Sequence, residues 1–379
     1  MPKRKKILIA LCWYNPGMEL GISRYAREHH WQLVLDMAYN QIIPWNKPCD
    51  GVLTYLGSNP QLAEFASRQS VPVVDLSTAR SDLALPRVTN DNAALGKLAA
   101  EHFLAKRFRN FLYYTRDAFS ARTSIERGLS FQRTVEDAGH SCEIFRISDE
   151  AATRDPIDLL AEKIESLPKP LAVFAHNDPL AAEVLEACQS RGIKVPEEVA
   201  VLGTGNALLT CEYALVPLSS IDRNMEELGY RAAEILDGLI DGKPRPTESI
   251  LVPPAGVAQR ESTDIIAVSH PQVAKALRYI WTHYHEAIGV DNVVAETTLS
   301  RTGLQKAFRK HLGRLPGEEI RQYRIARAKE LLAETDEKVR VIALKTGHCS
   351  ATNLCAAFRR EVGMNPKAYR NQHRAPAEA

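Results

Sequence analysis

Short, largely apolar runs alternate with amphipathic stretches through the first two-thirds of the chain. The runs fall at residues 7–12 (ILIALC), 31–37, 50–56, 71–76, 110–115, 142–147, 171–176 and 199–204. The first, apolar at every position, predicts a strand buried on both faces of a parallel sheet, and the others predict further strands of the same alternation. Helical spacing predicts helices at 17–27, up to 68, and at 92–106, 124–138, 155–166, 178–191 and 225–240; the last puts Leu228, Ala232, Ile235 and Leu239 on one stripe. Residues 249–260 (SILVPPAGVAQR) read as a last strand. Strands separated by single helices predict a doubly wound α/β architecture, with ligands at the carboxyl ends of strands. Some ten elements before residue 220 predict two lobes.

Beyond residue 270 the pattern turns purely helical and repeats itself. Residues 300–316 (SRTGLQKAFRKHLGRLP) and 350–366 (SATNLCAAFRREVGMNP) share Ser, Thr, Leu, Ala, Phe, Arg, Gly and Pro at equal offsets. A duplicated structural unit follows. In each copy a serine N-cap opens a helix, Leu and Phe four apart form a buried stripe, and Gly then Pro close it. A short helix precedes each copy, at 291–296 and 339–346, and a longer one at 318–333 joins them. Two short helices around a tight turn make a helix-turn-helix, whose second helix can enter a DNA major groove. The expected fold is thus an α/β pair of doubly wound parallel sheets over 1–262, a linker at 263–270, and an all-α double helix-turn-helix domain over 271–379.

Charge sharpens this division. The chain carries 48 Lys and Arg against 46 Asp and Glu, but residues 271–379 hold 19 against 11, leaving 29 against 35 for residues 1–270. A segment of +8 beside one of −6 points to a polyanion partner for the C-terminal third alone. The seven cysteines are odd in number and form no CxxC pair, so neither a disulfide framework nor a zinc site is expected. No membrane-length apolar run or signal-peptide pattern occurs, so a cytoplasmic protein is expected. GxxxxGK[ST], HExxH and GxSxG are absent, and VLGTGN lacks the third glycine of a dinucleotide fingerprint. Neither an enzyme nor a cofactor is expected.

The segment SRTGLQKAFRKHLG…YRIARAKELLAET…IALKTG…SATNLCAAFRREVGMNPKAYR resembles the DNA-binding domain of AraC-type transcription regulators. Residues 7–258 resemble the periplasmic-binding-protein-like sugar-binding core of LacI-type repressors, through VTNDNAALGKLAAEHF, Arg127-x-x-x-Phe131, AHNDPLAAEVLEACQSRGIKVPEEVAVLGTGN and VPLSSI. The combination is similar to xylose-operon activators. It implies double-stranded DNA, a small sugar, RNA polymerase and a second copy of the chain as partners.

Because Leu304 and Phe308 face inward, Arg301, Thr302, Gln305 and Lys306 face outward near the N-terminal end of their helix, where base edges are read. The resemblance implies reading positions at Thr302, Gln305 and Lys306. Arg309, Arg359 and Arg360 suit phosphate contacts. In the second copy Ala351, Cys355 and Ala356 replace Arg301, Gln305 and Lys306, so only Thr352 and Asn353 remain to hydrogen-bond. For the sugar, polar residues at strand ends are Asp91, Arg127 and Asn177, and the resemblance implies sugar contacts at all three; Asp91 also suits a helix cap and Arg127 an ion pair. Trp13 and Tyr14 suit either stacking on a sugar face or core packing. The family places an aspartate where this chain has Gly205, so Asn206 is the candidate to take over part of its role, and Gly205→Asp is expected to raise sugar affinity.

Overall fold

The computed structural model describes residues 4–35, 37, 42–116, 121–148, 154–268 and 270–373. The chain divides into two compact units, Met1–Ile265 and Ile266–Ala379.

The N-terminal unit has two lobes. The first contains β1 (Lys6–Leu11), α1 (Pro16–Glu28), β2 (Gln32–Val34), β3 (Gly51–Tyr55), α2 (Pro60–Ser67), β4 (Val73–Asp75) and β5 (Val88–Asn90). Its parallel sheet has the order β2-β1-β3-β4. The second lobe takes α3 (Asn92–Ala105), β6 (Asn110–Arg116), α4 (Ala121–Asp137), β7 (Ser141–Ile147), α5 (Pro156–Ser166), β8 (Leu171–Ala175), α6 (Asp178–Ser190), β9 (Val199–Thr204), α7 (Leu208–Glu212) and β10 (Ser219–Asp222). The chain then returns to the first lobe for α8 (Met225–Ile240) and β11 (Ile250–Val252), and ends in the second with β12 (Gly256–Ala258). The second sheet runs β12-β10-β9-β8-β6-β7.

The expected strand over 249–260 is in fact two strands in different lobes. β11 pairs parallel with β5, while β12 pairs antiparallel with β10. Pro253 and Pro254 lie between them, and a proline pair cannot continue a ladder that needs backbone donors. Three crossings therefore join the lobes, at 90–92, 222–225 and 252–256, and all three border one cleft. Each lobe buries its own apolar cluster. Ile9, Leu53, Val74, Met225 and Leu236 serve the first, and Leu112, Val173, Val184 and Val201 the second.

The C-terminal unit is all helical. It comprises α9 (Pro271–His283), α10 (Val290–Ala295), α11 (Arg301–Leu312), α12 (Pro316–Glu334), α13 (Val339–Lys345), α14 (Ala351–Val362) and α15 (Pro366–His373). The two copies share their caps. Ser300 accepts from Gly303 N at 3.1 Å and Ser350 from Asn353 N at 3.2 Å, while Gly313 (φ 71°) and Gly363 (φ 81°) close the helices in the left-handed region. Each copy has its own core, one around Val293, Leu304 and Phe308 and one around Ile342, Leu354 and Phe358. α12 bridges them, giving Ile320 to the first and Ile325, Ala328 and Leu332 to the second. Its 19 residues span about 28 Å at 1.5 Å per residue.

Candidate effector cleft and DNA-reading helices

Between the lobes lies a cavity of about 1090 Å³, walled by the carboxyl ends of β3, β8, β9 and β10 and by the first turns of α1, α3 and α6. Arg127 is its most deeply buried cationic side chain, at 4 % exposure. Its place depends on Gly96 of α3, where a Cβ would stand 2.2 Å from Arg127 O, so α4 can approach α3 this closely only over a glycine. The guanidinium donates from Nη1 to His176 O and from Nη2 to Asn92 Oδ1 at 2.9 Å. Burial lowers its pKa to about 10, which leaves it charged at neutral pH. Burial, and then the nearby Arg127 charge, push His176 down to about 2, so this cleft residue is neutral.

Three buried polar atoms around the cleft have no partner among the described residues: Arg127 Nε, Arg223 Nε and Thr204 Oγ1. Buried donors are rarely left unpaired in a protein that never fills the site. Asp222, which ends β10, and Arg223, which follows it, carry no sequence motif. Arg223 lies over the Trp13 ring at 5.0 Å, and Trp13 packs on Tyr55 at 5.2 Å between centroids. Asp222 accepts from Asn224 N at 2.8 Å and from Asn206 Nδ2 at 3.4 Å. The rule that ligands gather at strand carboxyl ends was the available signal.

Of the residues expected at a sugar site, Trp13, Arg127, Asn177 and Asn206 line the cleft and Tyr14 and Asp91 do not. Tyr14 is 48 % exposed. Asp91 caps α3, accepting from Ala94 N at 2.8 Å, and its neighbours Asn90 and Asn92 take the cleft positions. Asn177 does two things at once, capping α6 through Leu180 N at 3.0 Å while facing the cavity. Gly205 sits at φ 132°, and a Cβ there would be 3.0 Å from Asp178 Oδ2. Asp178 is fully buried and accepts from Ser220 Oγ at 2.5 Å and Ala207 N at 2.8 Å. A side chain at 205 would thus be strained and crowd Asp178, with Arg223 Nη2 3.8 Å away, and the strain weighs against the affinity gain expected of Gly205→Asp.

On the C-terminal unit, Arg301, Thr302, Lys306 and Arg309 are exposed and Gln305 half-buried; Thr352, Asn353, Arg359 and Arg360 are exposed in the second copy. Arg301 pairs with Asp291 at 2.8 Å with both side chains mostly exposed, an interaction weak enough to yield to a nucleic acid. Asn353 Nδ2 reaches Cys349 Sγ at 3.3 Å. No group of three or more metal-ligating side chains occurs among the described residues, and no helix there is long and apolar enough to cross a membrane.

A periplasmic binding protein-like domain model matches residues 100–263, and a helix-turn-helix domain model residues 293–372. The chain is 27 % identical over 369 residues to the xylose operon regulatory protein of Escherichia coli K12, covering 94 % of each. It is 28 % identical over 368 residues to that of Haemophilus influenzae, covering 94 % of this chain and 95 % of the other. A solved xylose-binding transcription activator aligns over 99 % of this chain and 100 % of its own, with 26 % identity and a TM-score of 0.61.

Proposed function

We infer that this chain, an AraC-type transcription regulator with a periplasmic-binding-protein-like core and a homologue of the xylose operon regulatory proteins, controls a sugar-utilisation operon by binding a small sugar in its cleft. Xylose is the first sugar to test. The observation that carries this reading is the set of unpartnered buried donors, Arg127 Nε and Arg223 Nε, in a cleft that also offers Asp222, Asn177 and Asn206. A sugar hydroxyl both donates and accepts, so charged donors beside carboxylate and amide acceptors can satisfy it, while Trp13 offers a ring for an apolar face. Sugar binding across the crossings would favour one lobe arrangement over another, which is how a ligand bound in one domain biases another.

The DNA partner is engaged through α11 and α14, with Arg301, Thr302, Gln305 and Lys306 reading bases and Arg309, Arg359 and Arg360 holding phosphates. A second copy of the chain is a further partner. In its support, α7 and the loop after it expose Leu208, Leu209, Tyr213 and Leu215, a cluster that single soluble chains seldom leave open. Contact with RNA polymerase and a cytoplasmic location complete the reading. Operator binding by fluorescence anisotropy, with and without a panel of pentoses and hexoses, tests it. A sugar-dependent change in affinity is expected in the wild type and none in Arg127→Ala; an equal response in Arg127→Ala would move the sugar out of this cleft.

A further inference from the structure

The last residues of the N-terminal unit are tied to the cleft wall by one continuous set of hydrogen bonds. Asn206 lines the cleft in the left-handed region (φ 52°), and its Oδ1 accepts from Arg260 Nη2 at 3.1 Å. The same guanidinium donates from Nε to Glu212 Oε1 at 2.6 Å and from Nη1 to Leu218 O at 3.1 Å. Arg260 does not itself line the cavity. Its backbone is clamped on both sides by one hydroxyl: Arg260 N donates to Ser219 Oγ at 2.8 Å, and Ser219 Oγ donates to Arg260 O at 3.0 Å. Thr263 Oγ1 donates to Ser219 Oγ at 2.8 Å, so His102 Nε2, 3.1 Å from Thr263 Oγ1, is the donor there. Burial drives His102 down to about 3, so it enters this chain neutral. Ser262 Oγ accepts from Ser219 N at 2.8 Å and donates to Val201 O at 2.6 Å. Ser262 and Thr263 are fully buried, and the C-terminal unit begins three residues later, at Ile266.

We propose that Arg260 is the positioning residue that carries cleft occupancy to the DNA-binding domain, by sharing its guanidinium between Asn206 and the Glu212–Leu218 edge. This rests on the reading of the cleft as a sugar site. A sugar hydroxyl that donates to Asn206 Oδ1 shares that acceptor with Arg260 Nη2 and weakens its bond, which leaves Arg260 held by Glu212 and Leu218 O. Because the backbone of Arg260 and the side chains of Ser219, Ser262 and Thr263 form one polarised network, a shift at Arg260 changes the register of the exit segment as a whole. Arg260 thus has a state bonded to Asn206 and a state released from it, and a ligand that contacts Asn206 biases one against the other.

The experiment uses the full-length protein and two readouts: calorimetric titration with xylose and the other sugars of the panel, and operator affinity with and without sugar. Arg260→Met keeps the stem and removes the head, and Thr263→Val keeps shape and removes the hydroxyl link beyond the cleft. Both should bind sugar within about threefold of the wild type, while the sugar-induced change in operator affinity falls below about twofold. A purely structural role would lower sugar affinity and response together, and that result, or a full response in both variants, overturns the relay. If Arg260→Met does not fold, Thr263→Val decides alone. A wild type that binds none of these sugars fails the cleft assignment itself, before either variant is measured.

Discussion

The two copies of the helix-turn-helix unit are nearly the same scaffold under different surfaces. Their 12-residue helices, α11 and α14, match in N-cap serine, buried Leu and Phe, left-handed C-cap glycine and the proline that starts the next helix. Every shared identity except the threonine and the paired arginine serves burial, capping or chain reversal. The differences fall at the positions proposed to read bases: Arg301, Gln305 and Lys306 against Ala351, Cys355 and Ala356. Folding constraints have held one set of positions while the other set diverged. The first copy has groups able to make bidentate contacts, while the second offers methyl groups, Thr352 and Asn353. We therefore propose that the first copy supplies most sequence discrimination and the second clamps the backbone, through Arg359, Arg360 and the helix N-terminus.

The scaffold half of the comparison carries the largest expected effects. Phe308→Ala and Phe358→Ala each empty the centre of a core, and each should cost about 3–5 kcal/mol of stability in the C-terminal unit by denaturant titration. Ordinary stability in one variant would show that the copies are not equivalent as structures. Next come the surfaces. Gln305→Ala should weaken binding to the preferred operator by about 1–3 kcal/mol and leave random-duplex binding nearly unchanged, whereas Cys355→Ala should shift either by less than about 0.5 kcal/mol. Equal losses on both duplexes for Gln305→Ala would take α11 out of the reading role. The caps should again behave alike, Ser300→Ala and Ser350→Ala each costing about 1 kcal/mol. The smallest expected difference is between Arg309→Ala and Arg359→Ala. Both should reduce specific and random binding together and lower the salt slope by about 1, so a base-dependent effect of Arg359→Ala would restore a reading function to α14.

Much of this was legible in the chain, because burial leaves a periodic trace. The parallel strands, the alternating helices and the duplicated unit all rest on apolar spacing, and the structure keeps them. What spacing does not record is direction. Asp91 and Asn177 occupy similar places after strands and both cap helices, yet only Asn177 faces the cleft, since the turn of each strand end decides where the side chain points. Asp222 and Arg223 left no periodic trace at all. The split of 249–260 between lobes depends on which sheet edge has a free ladder, a tertiary fact that Pro253 and Pro254 only hint at. The environment of Gly205 was illegible for the same reason: Asp178, 27 residues earlier in sequence, is what a side chain there would crowd.

Selection of binding sites from a random duplex library by the wild-type protein tests the division of labour most directly. α11 and α14 are joined by a helix about 28 Å long, suited to successive major grooves about 34 Å apart. One strongly specified half-site is expected beside a degenerate one, about one helical turn away and at most favouring A·T pairs. Two half-sites of equal information content per chain would contradict it.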